Sequence, residues 1–304
     1  MGKRAALFPG QGSQYVGMAK DLFEQSVEAK EMIQTADDAA ETNLSHIMFN
    51  GPEESLKRTE YTQPAIYAHS VVVASLVRRL EFDGAAGHSL GEYSALTFAG
   101  AVQFRDAVKL VRLRGLAMQD AGEKNKGAMA AIIGMEREPL EAACEKASEA
   151  GVVQCANFNS PGQIVISGSV EGVKRAMELA KEAGARMVKE LVVSGAFHSP
   201  LMEPARETLE KALAEANLYD ARIPVYANVT AKPNADKETT RELLAKQLTA
   251  PVRWEETIRN MLDDGFDEFV EIGPGKVLQG LVKRIDRSAT TFGIETFEQL
   301  GDYR

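Results

Sequence analysis

The sequence has only two cysteines, Cys144 and Cys155, in 304 residues. That is too few for a disulfide framework, and a reducing cytoplasm is their simplest setting. No Cys/His cluster has metal-ligand spacing, so neither a metal nor a permanently bound cofactor is expected. Long apolar runs are missing too: nothing approaches the about eighteen residues that a membrane-spanning helix needs. The basic start Met1-Gly2-Lys3-Arg4 leads into an apolar run, Ala5 to Phe8, that is too short for a signal peptide. Ala6 stands where a myristoylation signal requires Ser or Thr. Basic residues are in deficit, 35 Lys and Arg against 44 Asp and Glu, for a net charge of -9. This opposes a nucleic-acid binder and confines the docking of any acidic partner to a local basic patch. Internal repeats and low-complexity segments are absent.

What is present is the composition of an ordinary globular protein, 44% hydrophobic and 26% charged, on a chain long enough for a large core. Short β-rich runs (Arg4 to Phe8, Gly84 to His88, Pro224 to Val229, Phe266 to Ile272, Ala289 to Ile294) alternate with amphipathic stretches. The stretches are Gln63 to Leu80, Phe104 to Ala121, Met202 to Leu213 and Trp254 to Leu262. Such alternation predicts an α/β body with parallel strands and helices on both faces. A polar linker, Gly122 to Gly127, precedes a stretch that reads βαββαβ, with strands near 128–133, 152–156, 163–167 and 187–193. The expected architecture is a parallel-sheet, α/β-hydrolase-like large domain (1–123 and 194–304) with an inserted ferredoxin-like subdomain (124–193). A ligand site is expected in the cleft between them.

Gly87-His88-Ser89-Leu90-Gly91 follows one of the short strands and precedes a helical segment. Gly-x-Ser-x-Gly at such a turn presents the serine as an exposed nucleophile. A helix cap, with Glu92 closing a capping box, is the competing explanation. A serine nucleophile needs a base, and there are four histidines. His88 adjoins the serine and should point away from it; His69 lies inside a helix; His46 sits in a short connection. His198 stands just before Ser199-Pro200, at the mouth of a helix whose positive end disfavours imidazolium. Arg114 lies on the apolar stripe Ala107, Leu110, Val111, Ala117, Met118 and Ala121, whereas Arg105, Lys109 and Arg112 fall on a face read as solvated. A buried charge must meet an anion. Two partners are open for Arg114, a core carboxylate or a substrate carboxylate. Phe8-Pro9-Gly10-Gln11-Gly12-Ser13-Gln14 lacks the third glycine of a dinucleotide fingerprint and can instead offer backbone N–H groups to an oxyanion. Glu271-Ile272-Gly273-Pro274-Gly275, a similar turn, is read as architecture.

Together these residues resemble the malonyl-CoA:acyl-carrier-protein transacylase family and the acyltransferase domains of fatty-acid and polyketide synthases. The matching stretches include Phe8 to Gln14, Thr62 to Ala65, Gly87 to Ala95, Arg112 to Gly115, Asn157 to Gly162, Ala196 to His198, Pro251 to Trp254 and Glu271 to Gly275. The resemblance implies Ser89 as nucleophile, His198 as general base and the N–H groups of Gln11 and Leu90 as the oxyanion hole. It also implies Arg114 as the site for the malonyl carboxylate, Phe197 as a malonyl-preferring substrate contact, and the Gln247 carbonyl in place of a triad acid. The implied reaction moves malonyl from malonyl-CoA to acyl-carrier protein.

An acidic carrier would need basic residues to dock. Lys283 and Arg284 are the expected pair, with Lys189 behind them. A monomer is expected, with no nucleic-acid or membrane partner. The rivals are an esterase or thioesterase of the α/β-hydrolase type, an acyltransferase serving polyketide synthesis, and a carrier-binding module without activity.

Overall fold

A computed structural model describes residues 2–303. Strand β1 (Lys3–Phe8) is followed by helices α1 (Lys20–Gln25), α2 (Val27–Ala40), α3 (Leu44–Asn50), α4 (Glu53–Leu56) and α5 (Thr59–Leu76). Strand β2 (Gly84–Gly87) turns directly into α6 (Gly91–Phe98), and α7 (Phe104–Lys124) comes next. A second group follows, β3 (Gly127–Ile133), α8 (Arg137–Ala147), β4 (Val153–Ser160), β5 (Gln163–Ser169), α9 (Val170–Glu182) and β6 (Met187–Leu191). The chain then returns through α10 (Glu203–Glu215), β7 (Val225–Tyr226), β8 (Pro233–Asn234), α11 (Lys237–Gln247), α12 (Trp254–Asp263), β9 (Phe266–Ile272), α13 (Val277–Ile285) and β10 (Thr290–Ile294).

These strands make two sheets. The larger has the order β10-β9-β1-β2-β7-β8, parallel except for the β7–β8 edge pair. The smaller is antiparallel throughout, in the order β4-β5-β3-β6. Strand β1 shows why the larger sheet is covered on both faces. Ala6 and Phe8 join the main core with α2, α5 and α7, whereas Ala5 and Leu7 face Trp254, Ile258 and Leu278 of α12 and α13. Apolar residues at every position of a strand are what a parallel sheet between two helical layers requires. The smaller sheet has its own core, with Ile132 and Ile166 set against Leu140 of α8 and Val173 of α9.

Several expected boundaries shift. Helix α7 runs on through the expected linker to Lys124, because Ala121 and Gly122 are buried and their packing outweighs the helix-breaking glycine. The expected strand 224–229 shrinks to Val225–Tyr226. Helix α5 begins at Thr59 and carries Pro64 inside it. A helical proline leaves the carbonyl four residues earlier without its N–H partner. Here Arg112 Nη1 donates to that carbonyl, Glu60 O, at 2.6 Å and also lies 3.2 Å from the Glu60 carboxylate. Arg112 is therefore not solvated, as its helix face suggested, but mends α5 from α7. At Gly115 the two helices approach so closely that a Cβ would lie 2.8 Å from Thr59 O, which brings neighbouring Arg114 against Gln63.

The turn from β2 to α6 is equally tight. A Cβ on Gly87 would fall 1.9 Å from the Gly91 carbonyl carbon, and one on Gly91 would fall 2.1 Å from Phe8 O. Both clashes are with backbone, which cannot swing aside. Gly87→Ala should therefore lower stability by about 3 kcal/mol or more, the upper range for forced overpacking. Gly280→Ala, on an exposed turn of α13 with nothing within 4 Å, should raise it by about 0.5–1 kcal/mol. Denaturant unfolding of the two variants checks the contrast.

Candidate active site

Ser89 follows that tight turn with φ 52°, a left-handed conformation that costs a non-glycine residue about 1–3 kcal/mol. Side-chain amides hold it there. Its N–H donates to Asn228 Oδ1 at 2.7 Å, its carbonyl accepts from Gln247 Nε2 at 3.0 Å, and Asn228 Nδ2 donates to Gly87 O at 2.7 Å. The helix-cap explanation fails on the same geometry. No side chain caps α6, and Glu92 reaches Asn228 and Gln247 rather than the Ser89 N–H.

The Ser89 hydroxyl lies 2.8 Å from His198 Nε2. His198 also has a positive φ, 56°, and its carbonyl accepts from Gln154 Nε2 of β4 at 2.8 Å. The ring's other nitrogen, Nδ1, faces the carbonyl oxygens of Gln247 (2.9 Å) and Ala250 (3.2 Å). Carbonyls only accept, so Nδ1 carries the proton and Nε2 is left as acceptor for the serine. A triad acid, required by the hydrolase rival, is replaced by these carbonyls. Burial first, then the positive charge of Arg114, holds the imidazole down at about 3, against the raising pull of the Gln247 carbonyl. His198 is therefore neutral at physiological pH.

Arg114 is completely buried. Nη1 donates to Gln63 Oε1 at 2.6 Å, and Nη2 donates to Gln247 Oε1 at 3.0 Å and to Ser89 Oγ at 3.1 Å. Its Nε has no partner, and no ion pair among the described residues includes it. Of the two partners left open by the sequence, a core carboxylate in direct contact is thus excluded. Ser89, His198, Arg114, Gln11, Leu90 and Phe197 all line one cavity of about 210 Å³. Met129, Val165 and Leu191 from the smaller sheet close its other side, so the site lies between the two sheets as expected. The backbone N–H groups of Gln11 and Leu90 make no hydrogen bond within the described chain.

His88 does not turn away from the cavity but lines it, with Nε2 2.8 Å from Asn159 Oδ1 and its ring against Trp254. His69 is tied to Glu295 O inside the core, and His46 is exposed on the outer face of α3. Glu271 accepts the N–H groups of Leu278 and Gln279 at the start of α13, the architectural use expected of its turn. Lys283 and Arg284 lie outside the cavity: Lys283 Nζ donates to Ala289 O at 2.6 Å, and Arg284 bonds Gln163 at the tip of the β4–β5 hairpin. Lys189 is exposed on β6, two residues before cavity-lining Leu191 and so on the same strand face. Sequence reasoning missed Asn228, Gln154, Asn159 and Gln63. Gln63 and Asn159 fall within stretches that match the family, but their roles left no signal, since each of the four acts on a residue distant in sequence.

A model of the acyl transferase domain matches residues 6–303. The chain belongs to the acyl transferase family. Among its relatives, malonyl CoA-acyl carrier protein transacylase of Bacillus subtilis is 48% identical over 303 residues, covering 99% of this chain and 96% of that one. The protein of the same description from Haemophilus influenzae is 46% identical over 94% of this chain and 93% of its own. In structure, the acyl carrier protein S-malonyltransferase of Vibrio cholerae superposes with a TM-score of 0.96 at 43% identity, covering 99% of this chain and all of that one. A malonyl-transacylase solved in complex with a type II polyketide synthase acyl-carrier protein gives 0.94 at 40% identity, covering 98% of this chain and 97% of that one.

The electrostatics of this acyl transferase site make a direct prediction. His198 should show no imidazole titration between pH 5 and 8.5. Histidine-selective NMR checks this. A His198 midpoint near neutrality would contradict the buried, Arg114-facing environment.

Proposed function

We propose that this protein transfers a malonyl group from malonyl-CoA to the phosphopantetheine thiol of acyl-carrier protein, through a malonyl ester on Ser89. His198 Nε2 takes the hydroxyl proton as Ser89 Oγ attacks the thioester carbonyl. The tetrahedral intermediate collapses, and His198 returns the proton to the departing sulfur of coenzyme A. The carrier thiol then enters the same cavity and reverses these steps, releasing malonyl-carrier and free Ser89. The unspent N–H groups of Gln11 and Leu90 are assigned to the oxyanion, where losing one such donor costs ~3–4 kcal/mol of transition-state stabilisation.

The observation that carries the malonyl assignment is Arg114. A guanidinium has five N–H donors, and this one makes three hydrogen bonds, none to a carboxylate. It is fully buried and 3.1 Å from the Ser89 hydroxyl. An acyl chain ending in a carboxylate meets both the reacting oxygen and this charge; an acetyl group leaves the charge unmatched. Breaking a buried charge pair costs ~3–5 kcal/mol, so preference for malonyl over acetyl of about a hundredfold or more follows at ~1.4 kcal/mol per factor of ten.

The same reading includes fatty-acid synthesis as the process served, a cytoplasmic monomer, and the division into 1–123 with 194–304 and 124–193. The smaller sheet's strand order supports a ferredoxin-like label for its unit, and the parallel sheet with its serine turn supports an α/β-hydrolase-like label for the body. No helix among the described residues is long and apolar enough to cross a membrane. The likeness to a transacylase bound to a polyketide carrier favours polyketide supply as a second reading; comparing transfer rates to the two kinds of carrier decides between them.

Intact-protein mass spectrometry after mixing with malonyl-CoA should show one malonyl adduct on the wild type and none on Ser89→Ala. Arg114→Ala should cut malonyl loading by about a hundredfold while changing acetyl loading far less. Equal losses for both acyl groups would remove Arg114 from its role. For carrier docking at Lys283 and Arg284, charge reversal of the pair should raise KM for the carrier and leave KM for malonyl-CoA unchanged. Parallel changes in both constants would rule that surface out.

A further inference from the structure

The buried charge of Arg114 has an anion one amide away. Arg114 Nη2 donates to Gln247 Oε1 at 3.0 Å, and Nε2 of the same amide donates to Glu92 Oε2 at 2.7 Å. The amide dipole is thus aligned between the two charges, carbonyl toward the cation and N–H toward the anion. Glu92 is 3% exposed and forms no ion pair among the described residues. The same oxygen, Oε2, accepts the backbone N–H of Asn228 at 3.0 Å. Around this carboxylate, α11 contributes the neutral Gln247 and the segment after β7 the neutral Asn228. The titratable groups acting on it are Arg114 from α7 and Tyr93 from its own helix; α5 presents only the neutral Gln63, to Arg114.

We propose that Glu92 is a positioning residue that supplies the counter-charge of Arg114 in the unloaded enzyme, relayed by the Gln247 amide, and competes there with the substrate carboxylate. The inference rests on assigning Arg114 to that carboxylate. When a malonyl group binds, two carboxylates share one guanidinium, and an ionised Glu92 weakens the hold on the substrate. A protonated Glu92 leaves Arg114 wholly to the malonyl group. Burial, the foremost influence, pushes the Glu92 carboxyl up to about 7, against the lowering effects of the Asn228 N–H, the Gln247 amide and Arg114. The competition therefore switches in the neutral range. Preference for malonyl should rise as pH falls through about 7 and decline as it rises. His198, held at about 3, adds nothing in this window. Acetyl-CoA has the same thiol, phosphates and base requirement but no carboxylate, so the ratio of malonyl to acetyl loading isolates the Glu92 effect.

The experiment is the rate of Ser89 acylation by malonyl-CoA and by acetyl-CoA, read by quenched intact-mass spectrometry from pH 6 to 8.5. It compares wild type, Glu92→Gln and Arg114→Ala. Both hydrogen bonds to Glu92 fall on one oxygen, so a glutamine can keep both and remove only the charge. In the wild type the malonyl-to-acetyl ratio should fall by about tenfold across the range, the change that one unit of coupling between two sites imposes. In Glu92→Gln it should be flat and stay at the wild type's low-pH value. A structural role alone would lower the melting temperature of this variant without flattening the ratio. A flat wild-type profile, or a Glu92→Gln profile parallel to the wild type, overturns the proposal while leaving the Arg114 assignment intact. If Arg114→Ala keeps the wild-type ratio, the assignment beneath it fails and this inference with it. Should Glu92→Gln not fold, the wild-type profile decides: a fall with pH supports the proposal and a flat line overturns it.

Discussion

Arg114 carries a full positive charge at zero exposure, and its three hydrogen bonds go to two side-chain amides and a hydroxyl. Removing such a charge from water costs several kcal/mol even in a relaxed protein. The surroundings offset this in stages. Helices α5 and α7 touch at Gly115, which brings the Gln63 carbonyl oxygen to Nη1. Gln247, the last residue of α11, turns its own carbonyl oxygen to Nη2 and its N–H toward Glu92. The Tyr93 ring sits 5.7 Å away, within the range of a cation–π attraction. The cation is thereby tolerated with donor capacity to spare, which the proposed hold on a carboxylated acyl group would use.

The second constraint is conformational. Ser89 and His198 both occupy left-handed backbone geometry, and each is clamped by amides from elsewhere in the chain. Asn228 and Gln247 hold the serine, and Gln154 holds the histidine while also bonding Thr249 O. The smaller sheet is tied to the connection between α11 and α12 at the same place. Val252 exchanges backbone hydrogen bonds with Ala156 and Phe158 of β4, two residues beyond the Ala250 carbonyl that faces the histidine. The smaller sheet thus does more than roof the cavity. It fixes the backbone of His198 and, through Asn159, the ring of His88 beside Ser89.

The features legible in the sequence were those with a local cause. Alternating strands and helices disclosed the parallel sheet, and βαββαβ the second sheet, because hydrophobic period is written into neighbouring residues. Ser89, His198 and Arg114 each stood out for one chemical group in an unusual local setting. Gln247 came only through family resemblance, since a backbone carbonyl leaves no mark on residue type. Asn228 and Gln154 were not legible. Their partners are 139 and 44 residues away, and an asparagine or glutamine looks like any polar residue until the fold brings the partner close. Arg112 was misread for the same reason: its function is to satisfy a carbonyl orphaned by Pro64 on a different helix.

Gln247 ties selection to reactivity. Its backbone carbonyl holds His198, the proposed base, and its side-chain amide holds Arg114, the proposed selector. The positive charge of Arg114 is also one of the influences that depress the basicity of His198. On the proposed assignment, a malonyl carboxylate neutralises that charge at the moment the base is needed, so the imidazole accepts the serine proton more readily with the right substrate than with none. An acetyl group fills the same cavity without lifting the depression. Interactions expressed in the transition state raise turnover rather than affinity alone. On that assignment the charge that recognises the acyl group also adjusts the base that activates Ser89, and discrimination falls on the chemical step as well as on binding.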